Sequence, residues 1–134
     1  MAPAIDPRRV RALNDAPHGA GPVVYWMQRE QRADDNWALL HAAALADARG
    51  VPLAVAFALA PAFAGAQPRH YAFMLAGLAE TERRLRAHGI PLLARAGAPP
   101  EVIPRLVAEL GAGALVTDFN PIRPATEWQA AVAA

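Results

Sequence analysis

Cysteine, serine and lysine are all missing from this sequence of 134 residues, and each absence removes a class of chemistry. Without cysteine there is no disulfide framework, thiol nucleophile or cysteine zinc site. Without serine a Ser-His-Asp triad is excluded, and without lysine there is neither a Schiff base nor a phosphate-loop lysine. The absence of disulfides suits a reducing compartment, so we predict a cytoplasmic protein.

The sequence also lacks an excess of charge of one sign, and it lacks long apolar runs. The net charge is only +1, which offers no broad electrostatic attraction for nucleic acid. The longest uncharged run, which includes residues 50–67, is interrupted by Pro52 and Pro61. A bilayer span takes about 20 apolar residues, so we expect no membrane association. The N-terminus has arginines but no apolar h-region and is therefore not a secretory signal.

Apolar residues, 54% of the chain, fall into four strand-like segments that alternate with helical patterns. The predicted strands are residues 23–27, 52–60, 90–97 and 114–120. The first predicted helix runs from Asp34 or Asp35 to about Gly50, and the other three span residues 68–89, 99–112 and 124–134. Strands that are apolar on both faces indicate a parallel sheet covered on two sides. The predicted fold class is therefore α/β, a doubly wound Rossmann-like parallel sheet of about four strands with helices on both faces. No strand pattern follows the fourth helix, so we expect a fifth strand to be missing.

The polar stretch QREQRADDN, residues 28–36, separates the first strand from the first helix. One interpretation is a solvated turn in which Arg29 and Arg32 form ion pairs while Asp34 or Asp35 caps the helix. The other is that the turn lines a ligand crevice or docks against another domain. Spacing alone favours the solvated turn, because charge clusters usually face solvent.

Amphipathic patterns also predict which helix faces are buried. On the first helix the predicted buried face carries Trp37, Leu40 and Ala44, with Leu39 and Ala43 beside them. On the second helix it carries Phe73 or Met74, followed by Leu78 and Leu85.

Ligands of doubly wound sheets bind outside the carboxyl ends of the strands, near the point where the strand order reverses. The candidate binding residues at these ends are Trp26, Met27, Gln28, Arg29, Phe57, Asp118, Phe119 and Asn120. Asp118 and Asn120 either hold a polar ligand or build an Asx turn before Pro121. The aromatic residues either stack on a flat ring of the ligand or belong to the core. No histidine has a second ligand at metal-binding spacing, so no metal site is predicted.

Residues 26–39, WMQREQRADDNWAL, resemble the first strand–turn–helix of the photolyase/cryptochrome family, which usually reads W-F-R-R-D-L-R followed by D-N-x-A-L. The residues that fall on family positions are Trp26, Arg29, Arg32, Asp35, Asn36, Ala38 and Leu39. Met27, Gln28 and Glu30 depart from the usual pattern. With GPVVYWM, RHYAFML and TDF.P.R, these departures resemble class II cyclobutane pyrimidine dimer photolyases, over about residues 6–128.

The resemblance implies an N-terminal arm over residues 1–21 and a C-terminally truncated antenna-binding α/β domain over residues 22–134. It implies a light-driven DNA repair lyase, in which FAD and DNA bind to a helical domain that is absent here. The α/β domain would hold an antenna chromophore, a deazaflavin or a folate, that passes excitation energy to FAD. The residues for flavin binding and ring splitting would then lie beyond Ala134, so no catalytic residue is predicted and this chain alone is expected to be inactive. The eight strand-end residues would border the chromophore pocket, whereas Arg32, Asp35 and Asn36 are assigned to an ion pair and a helix cap.

Two other functions remain open from the residues alone. The domain could be a free-standing α/β module that binds a nucleotide or a flavin-like ligand, or a ligand-free scaffold remnant. The missing glycine-rich phosphate loop counts against ordinary dinucleotide binding.

Overall fold

The computed structural model describes residues 7–14, 16–28, 36–59, 68–118 and 125–133. A short 3-10 helix, Pro7–Arg9, precedes the α/β alternation. The strands are β1 (Val23–Trp26), β2 (Leu53–Leu59), β3 (Leu92–Ala96) and β4 (Ala114–Thr117), and the helices are α1 (Trp37–Arg49), α2 (Pro68–Ala87), α3 (Pro99–Leu110) and α4 (Ala125–Ala133). The predicted order of strands and helices is confirmed.

The four strands form one parallel sheet in the order β3-β2-β1-β4. The chain builds outward from β1 to β3 and then crosses to the other side of β1 to form β4. The strand order therefore reverses between β1 and β4, and this is the switch point at which ligands of such sheets bind. The predicted Rossmann-like α/β fold is confirmed.

Alternate residues of β1 face opposite sides of the sheet, because side chains along a strand point to the two faces in turn. Val23 and Tyr25 belong to a core cluster that includes residues of α1 and α2. Val24 and Trp26 belong to a second cluster, which includes residues of α3 and is lined by Trp128 of α4. Both faces of β1 are buried, which explains why its sequence is apolar throughout.

Helix α1 begins and ends at caps that satisfy backbone groups. Its N-cap is Asn36, whose side-chain oxygen accepts a hydrogen bond from the Leu39 backbone N–H. The predicted cap at Asp34 or Asp35 is therefore wrong, and those residues lie outside the described part of the chain. The predicted stop at Gly50 is confirmed, because Gly50 has a φ of 64° and its N–H bonds to the carbonyls of the last turn.

The buried stripe of α1 differs from the predicted one. The stripe consists of Leu39, Ala42 and Ala46, whereas the indole of Trp37 is 51% exposed. Because α1 is apolar around most of its circumference, hydrophobic periodicity could not identify the face that packs on the sheet. The guanidinium of Arg9 lies over the Trp37 ring instead, 4.5 Å from its centroid, and so ties the N-terminal arm to α1.

The arm also crosses the amino-terminal end of the sheet at close range. Gly19 donates to the Gly113 carbonyl (2.8 Å) and Gly113 donates to the Pro22 carbonyl (2.9 Å). The Arg49 guanidinium donates to the Gly19 carbonyl at 2.6 Å. These bonds fasten the arm to the loop before β4 and to the last turn of α1.

Within the described part of the chain, no helix has both the length and the apolar character that crossing a membrane would require.

Candidate functional site

A cluster of polar side chains occupies the carboxyl ends of β1 and β4, at the switch point of the sheet. Tyr25 pairs with Val116 and Trp26 with Thr117 in the parallel register of the two strands. Asp118, directly after Thr117, and Gln28, two residues after Trp26, therefore come from neighbouring strand ends. The switch-point cluster is defined here as Tyr25, Gln28, Asn36, Thr117 and Asp118.

Asp118 joins the ends of the two strands. Its side chain is 3% exposed, and its Oδ2 accepts hydrogen bonds from the Tyr25 hydroxyl (3.1 Å) and from the Gln28 backbone N–H (3.1 Å). Hydrogen bonds to a carboxylate are stronger than those between neutral groups. Asp118 consequently holds the first residues beyond β1 against the end of β4.

Asn36 connects this carboxylate to the start of α1. Its Nδ2 donates to the Tyr25 hydroxyl at 3.1 Å, while its Oδ1 serves as the helix cap. The hydroxyl thus accepts from Asn36 and donates to Asp118, which places three buried polar side chains in one series. Buried hydrogen bonds in such a series reinforce one another, so the strand ends and the helix start are held as one unit.

Gln28 and Thr117 form the more accessible side of the cluster. The Gln28 Nε2 donates to Thr117 Oγ1 at 2.8 Å, and Thr117 Oγ1 donates to the Trp26 carbonyl at 2.9 Å. Gln28 is half-buried, so its amide lies at the boundary between the core and solvent. From α4, the Gln129 side chain donates to the Asp118 carbonyl at 3.0 Å.

The predicted site residues separate into three groups. Gln28 and Asp118 lie in the switch-point cluster. Trp26, Met27 and Phe57 are 2%, 1% and 5% exposed, and their side chains pack in the core clusters on the two faces of the sheet. Arg29, Phe119 and Asn120 lie outside the described residues.

The sequence did not single out Thr117 or the link between Tyr25 and Asn36. Thr117 was detectable as a polar residue at a strand end, directly before Asp118. The Tyr25–Asn36 contact had no sequence signal, because it depends on how α1 folds back over β1.

The chemistry of the cluster suits binding. Its partly accessible groups are the Gln28 amide and the Thr117 hydroxyl, while the buried Tyr25, Asn36 and Asp118 hold the strand ends in position. No group of three or more histidine, cysteine, aspartate or glutamate side chains in the described ranges could hold a metal ion. The arrangement is suited to hydrogen-bonding the polar edge of a ligand at the switch point.

Replacing Asn36 by alanine should lower the free energy of unfolding by about 2 kcal/mol, because both a helix cap and a buried hydrogen bond are lost. Asn36→Ser keeps a hydroxyl that can cap the helix but is too short to replace the amide donor to Tyr25, so we expect a smaller loss. Urea unfolding followed by circular dichroism measures both values. Equal stability of Asn36→Ala and the unmodified chain would show that the cap and the Tyr25 bond contribute nothing.

Comparison with known proteins gives matches over nearly all of the chain. The sequence profile of the DNA photolyase family matches residues 23–134. The chain is 50% identical over 124 residues to a deoxyribodipyrimidine photo-lyase of Oryza sativa subsp. japonica, covering 89% of this chain and 24% of the relative. It is 44% identical over 124 residues to the deoxyribodipyrimidine photo-lyase of Potorous tridactylus, covering 90% of this chain and 23% of the relative. The chain therefore spans about a quarter of the length of these curated relatives.

Among solved structures, the chain resembles a cryptochrome from Synechocystis sp. PCC6803. The TM-score is 0.73 at 18% identity, over 83% of this chain and 24% of the cryptochrome chain. This likeness shows a shared fold.

Proposed function

Because this chain belongs to the DNA photolyase family, we propose that it is the N-terminal α/β domain of a class II photolyase. The reaction would be the light-driven splitting of cyclobutane pyrimidine dimers in DNA. The observation that carries this proposal is the family match from residue 23 to residue 134, which runs from β1 through α4. FAD and DNA would bind to the remaining part of the full-length enzyme, and this chain alone would not repair DNA.

We propose in addition that the domain holds an antenna chromophore, a deazaflavin or a folate, at the switch point. The residues proposed to border it are Trp26, Met27, Gln28, Arg29, Phe57, Asp118, Phe119 and Asn120. A bound chromophore of this kind absorbs light and passes the excitation energy to FAD. Deazaflavins and folates both carry a flat heteroaromatic ring with polar edges, and such an edge suits the amide and hydroxyl groups of the cluster.

The side chains of this region would have different tasks. Gln28, half-buried and anchored on Thr117, would hydrogen-bond the polar edge of the ring. Asp118 would fix the position of Gln28 through the Gln28 backbone N–H. Trp26 and Met27, packed in the core, would hold the end of β1 in place and so support the site from below.

A free-standing ligand-binding module is not favoured. The photolyase family match runs from residue 23 to residue 134, so it includes the sheet, the helices and the switch point together.

A chimera tests the proposed repair function. The homologous segment of the Oryza sativa photo-lyase is replaced by this chain, and repair of an oligonucleotide with a single cyclobutane dimer is followed by chromatography. We expect repair in blue or near-ultraviolet light and none in the dark, as for the unmodified Oryza enzyme assayed beside it. A folded chimera that contains FAD but leaves the dimer intact under light would refute the proposal.

The same chimera tests the antenna site. It is titrated with a deazaflavin and, separately, with a folate, and the excitation spectrum of repair is recorded. We expect one of the two to add its own absorption band to that spectrum. Gln28→Ala should weaken binding of that chromophore about tenfold, the value of one hydrogen bond. Asn14→Ala, which removes an exposed amide side chain from the N-terminal arm, is the control and should leave the affinity unchanged.

A further inference from the structure

The amino-terminal half of α2 carries an exposed apolar surface. Among the residues that the structure describes, Phe73 is the most exposed large apolar side chain at 84%, and Leu75 is 48% exposed. Ala72 and Ala76 are exposed beside them, and residues 71–79 contain no charged side chain. The α2 apolar face is defined here as Ala72, Phe73, Leu75 and Ala76.

Within the described part of the chain, the core does not account for the α2 apolar face. Among the side chains described from residue 72 onward, the buried ones of α2 are Leu78, Thr81 and Leu85, and Met74 is only partly buried. Phe73 lies on the other side of the helix, where it contributes almost nothing to the domain's own packing. A contiguous exposed apolar patch of this kind marks a surface that another protein segment covers.

The second half of the same helix is solvated. Arg84 Nε lies 3.2 Å from Glu80 Oε1, and Glu80 also pairs with Arg83. Arg86 pairs with Glu82. Charges spaced in this way along a helix are typical of a face in water. Residues 71–79 are therefore a charge-free stretch of α2, between Arg69 in its first turn and the charged surface that begins at residue 80.

We propose that the α2 apolar face is the surface on which the rest of the full-length photolyase docks. This proposal rests on the proposed function. The matched relatives are about four times as long as the segment that they share with this chain, so a large further part must pack somewhere on this domain. A charge-free helix surface with an aromatic anchor is suited to such a permanent interface, whose core excludes charged residues.

The position of the face agrees with this occupant. Helix α2 follows the carboxyl end of β2 along the chain, and the switch-point cluster lies at the carboxyl ends of β1 and β4. In a parallel sheet these ends lie at the same side of the domain. Docking on the first half of α2 would thus bring the rest of the enzyme to the side of the domain that carries the proposed antenna site.

The test compares Phe73→Asp in this chain and in the Oryza chimera. In the chain alone the melting temperature should stay within about 1 °C of the unmodified value, because the ring is already in solvent. In the chimera, the rate of FAD loss on dilution should rise about tenfold, since an anchor of the interface is replaced by a charge. Leu13→Asp, which alters a 44% exposed apolar side chain of the arm, is the control and should change neither quantity.

Three results would overturn the proposal. If the chimera repairs DNA and Phe73→Asp leaves FAD loss unchanged, the docking surface is refuted and the proposed function stands. If Phe73→Asp instead abolishes self-association of the isolated chain in sedimentation and leaves the chimera unaffected, the face joins two copies of this chain. If the unmodified chimera neither holds FAD nor repairs DNA, the proposed function fails and the docking proposal fails with it.

Discussion

Gly21→Ala is expected to lower the free energy of unfolding by about 3 kcal/mol, at the upper end of the cost of overpacking. A Cβ atom at Gly21 would lie 1.7 Å from the Gly111 carbonyl oxygen and 2.8 Å from its carbonyl carbon. Both contacts are with backbone, so no side-chain rotation can relieve them. The arm or the loop before β4 would have to move away.

Movement at this crossing is costly because the two segments are hydrogen-bonded. The Gly19 N–H donates to the Gly113 carbonyl at 2.8 Å, and the Gly113 N–H donates to the Pro22 carbonyl at 2.9 Å. A Cβ atom at Gly113 would itself lie 2.4 Å from the Gly19 carbonyl oxygen. The crossing therefore has room only for glycine at positions 21 and 113. A backbone shift that made room for Gly21→Ala would break the hydrogen bonds that anchor the start of β4.

Gly77→Ala is the matched control for this substitution. Gly77 lies inside α2, and a Cβ atom there meets nothing within 4 Å. Because alanine is the better helix former, this variant should be more stable than the unmodified chain, by up to about 1 kcal/mol. Urea unfolding of both variants measures the difference. A Gly21→Ala protein with the stability of the unmodified chain would disprove the close crossing.

Asp118→Ala should also reduce the free energy of unfolding by about 3 kcal/mol. The substitution removes the acceptor of two hydrogen bonds, from the Tyr25 hydroxyl and from the Gln28 backbone N–H, in a region where the carboxylate is 3% exposed. Donors left buried without an acceptor cost about 1–3 kcal/mol each. The amide proton signal of Gln28 should move strongly as its bond is lost, which a nuclear magnetic resonance spectrum records.

Two further variants distinguish the carboxylate's role from a general effect of losing an acidic residue. Asp118→Asn keeps an oxygen acceptor of the same shape, so its loss of stability should be smaller than that of Asp118→Ala. Asp47→Ala removes an exposed carboxylate from α1 and should change stability by no more than about 0.5 kcal/mol. If Asp118→Ala were as mild as Asp47→Ala, the proposed joining of β1 to β4 would have no energetic basis.

The consequences for function follow from the position of Asp118. The proposed antenna site depends on Gln28, and Gln28 is positioned by its backbone bond to Asp118 and its side-chain bond to Thr117. A variant that releases β4 from β1 should therefore weaken the site, because it displaces Gln28, the residue proposed to hydrogen-bond the ring.

Much of the fold was readable from local sequence patterns. The segment PLAVAFALA, residues 52–60, predicted a strand that is apolar on both faces, and the structure has that strand at Leu53–Leu59. The glycine at position 50 predicted the end of α1, which is confirmed. The alternation of strands and helices also implied a parallel sheet, because parallel strands need a crossover between them. These properties arise from residues that are close together in the chain, so periodicity and capping residues reveal them.

The candidate site was predicted only in part. Gln28 and Asp118 were identified as strand-end residues. Their partners were not, because the Tyr25–Asp118 bond joins residues 93 positions apart and depends on β4 lying beside β1. Placing the strands in the order β3-β2-β1-β4 required long-range contacts that no local pattern contains.

The helix surfaces illustrate the same division. Both α1 and the first half of α2 have apolar residues on more than one side, so the residues alone left Phe73 and Met74 as equal choices and suggested Trp37 for the core. Packing against the sheet resolved this, since a helix can bury one stripe while its remaining surface stays in solvent. Local chemistry thus dictates which segments become helices and strands, whereas the contacts between distant segments dictate which of their side chains form the core, the switch-point cluster and the surface.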